Sequence, residues 1–210
     1  TAGSCERDNP DSKKPCIRLV YQRAAIRVCS RRTTTHWRSD ATVLLLQPHR
    51  CPTDRVNHET AMQCMIERVH RLGMTNPTIL DAMGRVPRHL FPPAPYSGID
   101  NYQDQPCDIG HGQTISQPFI VAHMINCLEL SPGAKVLEIG AGCGYQAALL
   151  AELGMHVFAV EILPELATHA TEVLRENGYD RVQVSCHDGR EGWPEYAPYD
   201  GIIAACAPAE

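Results

Sequence analysis

Residues 136–145, with the sequence VLEIGAGCGY, decide the fold class of this chain. A short apolar run leads into three glycines at alternate positions, and a segment of helical character follows. Glycine adopts positive φ values without strain and lets a ligand approach the backbone closely. The stretch therefore predicts a β-strand, a ligand-binding loop and a helix, which together form the first unit of an α/β sheet.

The segment after this loop alternates between strand and helix patterns. We predict strands at residues 135–139, 156–160, 182–186 and 201–205, with helices at 145–153 and 164–177. Short apolar strands separated by helices favour a parallel sheet with right-handed crossovers and with both faces covered. Ligands of such sheets bind at the carboxyl ends of the strands, where the glycine loop lies.

Three more helices are predicted before the glycine loop. Apolar residues recur at helical spacing over residues 58–72 and 77–84, and a third helix begins at Ser116 or Gln117. Residues 87–118 are rich in Pro, Gly, Asp and Gln, and they predict a long ordered loop. Loops of this kind usually carry function.

Charge is divided unevenly along the 210 residues. Residues 1–57 contain 11 Lys and Arg against 5 Asp and Glu, whereas the other residues contain 8 against 19. The contrast predicts a basic, poorly ordered N-terminal extension over residues 1–57 and one α/β domain over residues 58–210. The acidic domain disfavours nucleic acid as a partner.

The composition also disfavours several protein classes. No apolar run approaches the roughly 18–20 residues of a membrane-spanning helix, and no secretory signal pattern is present. We therefore expect a cytoplasmic protein with no membrane partner, and we favour a monomer. The ten cysteines are scattered from Cys5 to Cys206 without a C-x-x-C pair, so no metal site is predicted.

The spacing of the glycines bears on the kind of cofactor. Gly140, Gly142 and Gly144 form a G-x-G-x-G pattern. The dinucleotide fingerprint G-x-G-x-x-G would place its third glycine where Tyr145 stands. The spacing therefore disfavours an NAD-dependent oxidoreductase and favours a cofactor without a pyrophosphate.

Acidic side chains accompany the first three predicted strands. Glu161 ends the second strand, where a carboxylate accepts hydrogen bonds from the ribose hydroxyls of an adenosine. Asp188 and Gly189 follow the third strand and would lie near the adenine, and Glu138 lies beside the glycine loop. Each has a structural alternative: Glu161 as a cap for the helix at Pro164, and Asp188 with Gly189 as an ordinary turn.

Other stretches point to one family. Residues 109–118 have the sequence IGHGQTISQP directly before the third helix, residues 86–88 are VPR, and residues 197–203 are APYDGII. With the glycine loop, these stretches resemble the protein-L-isoaspartate (D-aspartate) O-methyltransferase family from about residue 58 to residue 210. The glycine loop alone indicates only a class I methyltransferase, whereas GQTISQP is specific to this family.

The resemblance implies a fold, a cofactor and a reaction. The fold would be a Rossmann-like, class I methyltransferase sheet, mostly parallel, with N-terminal helices. S-adenosyl-L-methionine would supply a methyl group to the carboxylate of L-isoaspartyl and D-aspartyl residues in damaged proteins and peptides, which initiates their repair. The implied catalytic residue is Ser116, and the implied substrate-binding residues are Thr114, Ile115 and Ser116. The implied cofactor-binding residues are Glu138, Gly140, Gly142, Gly144, Glu161, Asp188 and Gly189.

The implied reaction depends mainly on positioning. An isoaspartyl carboxylate is ionised at neutral pH, and the sulfonium charge activates the methyl group, so no strong base is needed. We expect the Ser116 hydroxyl and the neighbouring backbone amides to orient the carboxylate for in-line displacement. The alternative role for Ser116 is to cap the third helix.

The chain departs from the family in the number of strands. The family's sheet resembles a seven-stranded one, whereas the prediction here stops after the fourth strand. We therefore expect an apparently truncated sheet with an uncovered edge and weak activity. Two other functions stay open: a non-catalytic S-adenosylmethionine-binding adaptor, and a class I methyltransferase acting on another substrate, such as a small molecule or RNA.

Overall fold

A computed structural model describes residues 18–21 and 57–206. The predicted N-terminal extension over residues 1–57 therefore lies outside the described residues, apart from Asn57 and one short strand at residues 18–21.

The described residues form seven strands and five α-helices. The strands are β1 (Arg18–Tyr21), β2 (Cys107–Gly110), β3 (Gln113–Ile115), β4 (Lys135–Ile139), β5 (His156–Glu161), β6 (Gln183–Cys186) and β7 (Gly201–Ala204). The helices are α1 (His58–Arg71), α2 (Pro77–Arg85), α3 (Pro118–Leu128), α4 (Tyr145–Glu152) and α5 (Pro164–Glu176). Four 3-10 helices lie at Arg88–Leu90, Ile99–Tyr102, Gly189–Glu191 and Pro194–Tyr196. None of these described helices is long and apolar enough to cross a membrane.

Five strands form one parallel sheet in the order β1-β7-β4-β5-β6. The predicted strands β4 to β7, and the helices α4 and α5 between them, are confirmed to within one residue at each end. From β4 the chain moves outward to β5 and β6, and then returns to β7 on the other side of β4. The strand order therefore reverses at β4, and open α/β sheets bind their ligands at such a switch point.

The edge of the sheet beyond β7 differs from the expectation. β1 pairs in parallel with β7, with Arg18 opposite Gly201 and Tyr21 opposite Ala204. The prediction that this edge is uncovered was therefore wrong. Pairing satisfies the N–H and C=O groups that an edge strand otherwise exposes. A four-residue strand so far from its partner in sequence leaves no local pattern that reveals the pairing.

The two faces of the sheet are covered unequally, because alternate residues of each strand point to opposite faces. Val136 and Ala159 belong to a large buried core that also contains residues of all five α-helices. Leu137 and Phe158 belong to a small cluster on the other face, which is covered by residues 193–199. Both faces are therefore covered, as predicted, although a short aromatic segment rather than an α-helix covers the second face.

Residues 87–118 are more regular than the predicted loop. Two 3-10 helices lie in this segment, and β2 and β3 form an antiparallel hairpin with an irregular register between Asp108 and Gly110. At the tip of the hairpin His111 has φ +54° and Gly112 has φ +68°. Strands of three and four residues are too short to show the alternation that predicts a strand.

Helix α3 begins directly after this hairpin. Its N-cap position is Gln117, and Pro118 is the first helical residue, so the alternative of Ser116 as the cap was wrong. The backbone N–H of Phe119 donates a 2.8 Å hydrogen bond to the carboxylate of Asp104. Ser116 lies in the short connection between β3 and α3.

Candidate active site

A cavity of about 550 Å³ lies at the carboxyl ends of β4, β5 and β7. Small-molecule sites typically have volumes of about 300–1,000 Å³. Nine of the ten predicted site residues line this cavity: Thr114, Ile115, Ser116, Glu138, Gly140, Gly142, Glu161, Asp188 and Gly189. The fold therefore brings the glycine loop and the segment before α3 to one place.

The glycine loop is tied to the neighbouring strand. The N–H groups of Gly140 and Ala141 donate to the carbonyl of Val160 at 2.8 and 3.1 Å. Gly140 has φ +87°, a region in which a side chain is strained. A Cβ atom at Gly140 would also lie 3.2 Å from the Cβ atom of Cys206. Glycine is required here both for the turn and for the close approach of β7's continuation.

Gly144 is the one predicted cofactor residue that does not line the cavity. It is the N-cap of α4 with φ +84°. A Cβ atom there would lie 3.2 Å from the Cγ atom of Leu174 in α5. Gly144 therefore serves the start of α4 and its packing against α5.

Glu161 holds the glycine loop from the end of β5. One carboxylate oxygen accepts the N–H of Gly142 at 2.8 Å, and the other accepts the N–H groups of Ile162 and Leu163 at 2.9 and 3.1 Å. The N-cap of α5 is Leu163, so the alternative of Glu161 as that cap was wrong. A carboxylate has about four lone-pair sites, so three amides leave about one for a ligand.

Glu138 is a fully buried carboxyl group that lines the cavity. Burial raises its pKa well above the ordinary value of 4.5; the Gln146 amide opposes this rise and the charge of Glu161 adds to it. Gln146 lies close by, but neither oxygen of Glu138 has a partner with hydrogen-bond geometry among the described residues. A buried carboxyl without a partner is costly, so a ligand that donates a hydrogen bond fits this position.

Asp188 and Gly189 lie where β6 meets the cavity. The Arg190 side chain and backbone N–H bind the Asp188 carboxylate and lower its pKa to about 2. A Cβ atom at Gly189 would overlap the Cγ2 methyl group of Ile139. Asp188 and Gly189 are therefore more than an ordinary turn, because a side chain at position 189 would collide with Ile139 of β4.

The hairpin supplies the other wall of the cavity. Thr114, Ile115 and Ser116 line it from the end of β3, and Ile109 lines it from β2. A Cβ atom at Gly142 would lie 3.4 Å from the Cδ1 atom of Ile109, so the hairpin packs directly on the glycine loop. The two walls are therefore in contact, and a ligand bound to one wall would lie beside the other wall.

Sequence reasoning missed several cavity residues. Ile162 lines the cavity and exposes 62% of its surface, which is unusual for a large apolar residue. Leu163, Cys206 and Arg190 also line it. The only signal in the sequence was that Ile162 directly follows Glu161. An apolar residue after a strand is normally interpreted as part of the core, so this signal was missed.

The thiols of the cavity are not activated. Burial raises the pKa of Cys143 to about 11 and also raises the pKa of Cys206. Nucleophilic cysteines need a lowered pKa, so covalent catalysis by either thiol is disfavoured. Within residues 18–21 and 57–206, no group of three or more His, Cys, Asp or Glu side chains is arranged to hold a metal ion.

Comparison with known proteins assigns the chain to a family. Residues 60–210 match the family model described as protein-L-isoaspartate(D-aspartate) O-methyltransferase. A protein-L-isoaspartate O-methyltransferase of Gloeobacter violaceus is 53% identical over 142 residues, which cover 68% of this chain and 69% of that protein. One of Aeropyrum pernix is 52% identical over 150 residues, covering 69% of this chain and 57% of that protein.

Solved structures agree with the fold. A protein-L-isoaspartate O-methyltransferase structure matches with a TM-score of 0.62 and 28% identity, covering 68% of this chain and 47% of that one. A putative enzyme of the same name from Plasmodium falciparum, in complex with S-adenosyl-L-homocysteine, matches with a TM-score of 0.59 and 21% identity over 74% of this chain and 76% of that one. The predicted class I methyltransferase fold is therefore confirmed.

Proposed function

Since the chain belongs to the protein-L-isoaspartate(D-aspartate) O-methyltransferase family, we propose that it transfers the methyl group of S-adenosyl-L-methionine to the carboxylate of L-isoaspartyl and D-aspartyl residues. Its substrates are damaged proteins and peptides. The observation that carries the proposal is the meeting of two walls in one cavity. Residues 140–143 of the glycine loop form one wall together with Glu138, and Thr114, Ile115 and Ser116 form the other.

The cofactor fits the first wall by chemistry. The buried carboxyl of Glu138 has no protein partner among the described residues, and a ligand ammonium or other donor satisfies it. Glu161 has about one acceptor site left for a ribose hydroxyl. The exposed side chain of Ile162 offers an apolar surface to an adenine ring. Asp188 and Gly189 provide a polar rim beside it.

The substrate fits the second wall. When bound, S-adenosylmethionine supplies a methyl group activated by a sulfonium charge. The isoaspartyl carboxylate is already ionised at neutral pH, so the protein needs no strong base. Ser116 orients the carboxylate oxygen toward the methyl group with its hydroxyl and with the amides of the connection that follows β3. Orientation of this kind contributes by holding the reacting atoms at close distance and in line.

A methyl-transfer assay tests the function. The 210-residue protein is incubated with cofactor labelled in the methyl group and with two peptides that differ only in an aspartyl or isoaspartyl linkage. We expect label in the isoaspartyl peptide, released by base as an ester, and at most a trace in the other. Equal labelling of both peptides would overturn the substrate assignment. Cofactor binding by calorimetry without any labelling would overturn the enzymatic one.

We also propose that the protein acts in the cytoplasm as a monomer. Cys107, Cys143, Cys186 and Cys206 are present as thiols, which fits a reducing compartment. Light scattering after size-exclusion chromatography measures the molar mass directly. A mass near 23.2 kDa is expected, and a mass twice that would refute the monomer.

A further inference from the structure

Arg88 is a buried arginine that does not line the cavity but contacts two residues that do, Ser116 and Tyr145. It lies in the 3-10 helix Arg88–Leu90, and its surface is 0% exposed. Its Nε atom donates to the carbonyl of Asn101 at 2.5 Å, and its Nη2 atom donates to the carbonyl of Ser116 at 2.7 Å. The guanidinium carbon lies 4.8 Å from the ring centre of Tyr145.

No carboxylate of the described residues forms an ion pair with Arg88. Its Nη1 atom has no hydrogen-bond partner in the same part of the chain. Arg85, three residues earlier at the end of α2, is exposed and pairs with Glu152. A buried charge normally needs a counter-charge. The guanidinium of Arg88 is nevertheless buried without a carboxylate partner among the described residues.

The contacts of Arg88 join the two walls of the cavity. Ser116 belongs to the wall formed by Thr114, Ile115 and Ser116, here called the substrate wall, and Tyr145 is the first residue of α4 after the glycine loop. Burial raises the pKa of Tyr145 to about 12, although the nearby charge of Arg88 opposes that rise, so its ring stays neutral beneath the guanidinium. Arg88 itself does not line the cavity, and it reaches the substrate only through Ser116.

We propose that Arg88 is a positioning residue for the substrate carboxylate. It fixes the peptide plane that follows Ser116, and its unpaired charge makes this wall of the cavity electropositive. In a site of low dielectric, such a charge favours an anionic ligand over a neutral one of the same shape. Arg88 thereby lets the protein select a carboxylate rather than an amide. The inference rests on the proposed function.

A pair of peptides measures this selectivity without turnover. One carries an isoaspartyl residue and the other the neutral isoasparaginyl residue. Binding of each fluorescent peptide is followed by anisotropy in the presence of S-adenosyl-L-homocysteine. We compare the unchanged protein with Arg88→Met, Arg88→Lys and the control Arg85→Met. The affinity of S-adenosyl-L-homocysteine is measured separately by calorimetry.

We expect the unchanged protein to prefer the isoaspartyl peptide by about tenfold or more, as a charge-assisted contact predicts. Arg88→Met should reduce this preference to about twofold or less, with the affinity for S-adenosyl-L-homocysteine within about twofold of the original. Arg88→Lys should retain the preference but weaken both peptides, because lysine keeps the charge and loses the two fixed hydrogen bonds. Arg85→Met should change nothing.

Two results would overturn the inference. Arg88→Met could weaken both peptides and S-adenosyl-L-homocysteine equally, which would indicate packing alone. If Arg88→Met does not fold, Arg88→Lys decides the question, and a loss of the preference in that variant counts against the charge. Failure of the proposed function is distinguishable, because the unchanged protein would then bind neither peptide or would not methylate the isoaspartyl one.

Discussion

The two walls of the cavity are built in different ways. The wall proposed to bind the cofactor, here called the cofactor wall, is local within the sheet, because its residues 138–142 contact the adjacent strand β5 through Val160 and Glu161. The substrate wall is assembled: Ser116 is held by Arg88, and the helix after it is held by Asp104. The cofactor wall therefore depends on glycine geometry and on the adjacent strand of the sheet, and the substrate wall depends on the side chains of Arg88 and Asp104, which lie outside the strands and α-helices.

A substitution in the cofactor wall should have the largest effect. Gly140→Val places a branched side chain at φ +87° and against Cys206. We expect cofactor affinity to fall by about 100-fold or more, equivalent to about 2.7 kcal/mol. Calorimetry with S-adenosyl-L-homocysteine measures the change.

The control for backbone strain is Gly178→Val. Gly178 has φ +83° and lies at the end of α5, away from the cavity, where a Cβ atom would meet no atom of the surrounding described residues within 4 Å. The Gly178→Val protein should be less stable than the unchanged protein but should bind the cofactor with the same affinity. Equal affinities of Gly140→Val and the unchanged protein would contradict the local origin of the cofactor wall.

Ser116→Ala should produce a smaller effect that is confined to the substrate. Loss of the orienting hydroxyl should reduce kcat/KM for the isoaspartyl peptide by about 30-fold, or about 2 kcal/mol, because the reacting atoms are held less well. Cofactor affinity should stay unchanged. Ser131→Ala, in the exposed turn before β4, is the matched control. Full activity of Ser116→Ala at saturating peptide would end the assignment of Ser116.

The titration of Glu138 should make the cofactor wall sensitive to pH. Its raised pKa means that Glu138 in the folded protein without ligand keeps its proton to higher pH than an exposed glutamate does. Stability from this group is present below pH 4.5 and is lost as pH rises through the higher folded pKa. A ligand donor favours the ionised form, so cofactor affinity should rise by up to about tenfold per pH unit in that window.

Glu138→Gln separates this titration from the others. The variant should show a nearly flat affinity over the same pH range, and its melting temperature should fall less as pH rises. Calorimetry in buffers of different ionisation enthalpy also reports the proton released on binding. An unchanged pH slope in Glu138→Gln would show that another group carries it.

Ile162→Ala should have the smallest effect. Because 62% of the Ile162 surface is already exposed, its loss should barely change stability. Removal of the apolar surface should weaken the cofactor by about fivefold, or about 1 kcal/mol. Leu72→Ala, at 43% exposure and outside the cavity, controls for exposed apolar residues. Equal affinities of Ile162→Ala and Leu72→Ala would remove Ile162 from the site.

Much of the cofactor wall was predictable from the sequence. Short apolar runs separated by helical patterns located β4, β5, β6 and β7 to within one residue at each end. Parallel strands end at one edge, so Glu161 and Asp188 were expected beside the glycine loop. Of the seven predicted cofactor residues, Gly144 alone does not line the cavity.

The substrate wall was predictable by family resemblance but not by pattern. The hairpin of β2 and β3 was expected to be a loop, since its strands are too short to show alternation. The role of Arg88 was also hidden, because an arginine in sequence looks the same whether it is exposed like Arg85 or buried.

The sequence by itself determined the order of the α-helices and of strands β4 to β7, the glycine loop and the acidic residues at the strand ends. These features depend on neighbours a few residues away, where φ, ψ and hydrophobic period act directly. Only the tertiary structure decided the pairing of β1 with β7, the exposure of Ile162 and the burial of Arg88 behind Ser116. Each of these depends on contacts between distant segments, which exist only once the chain has packed.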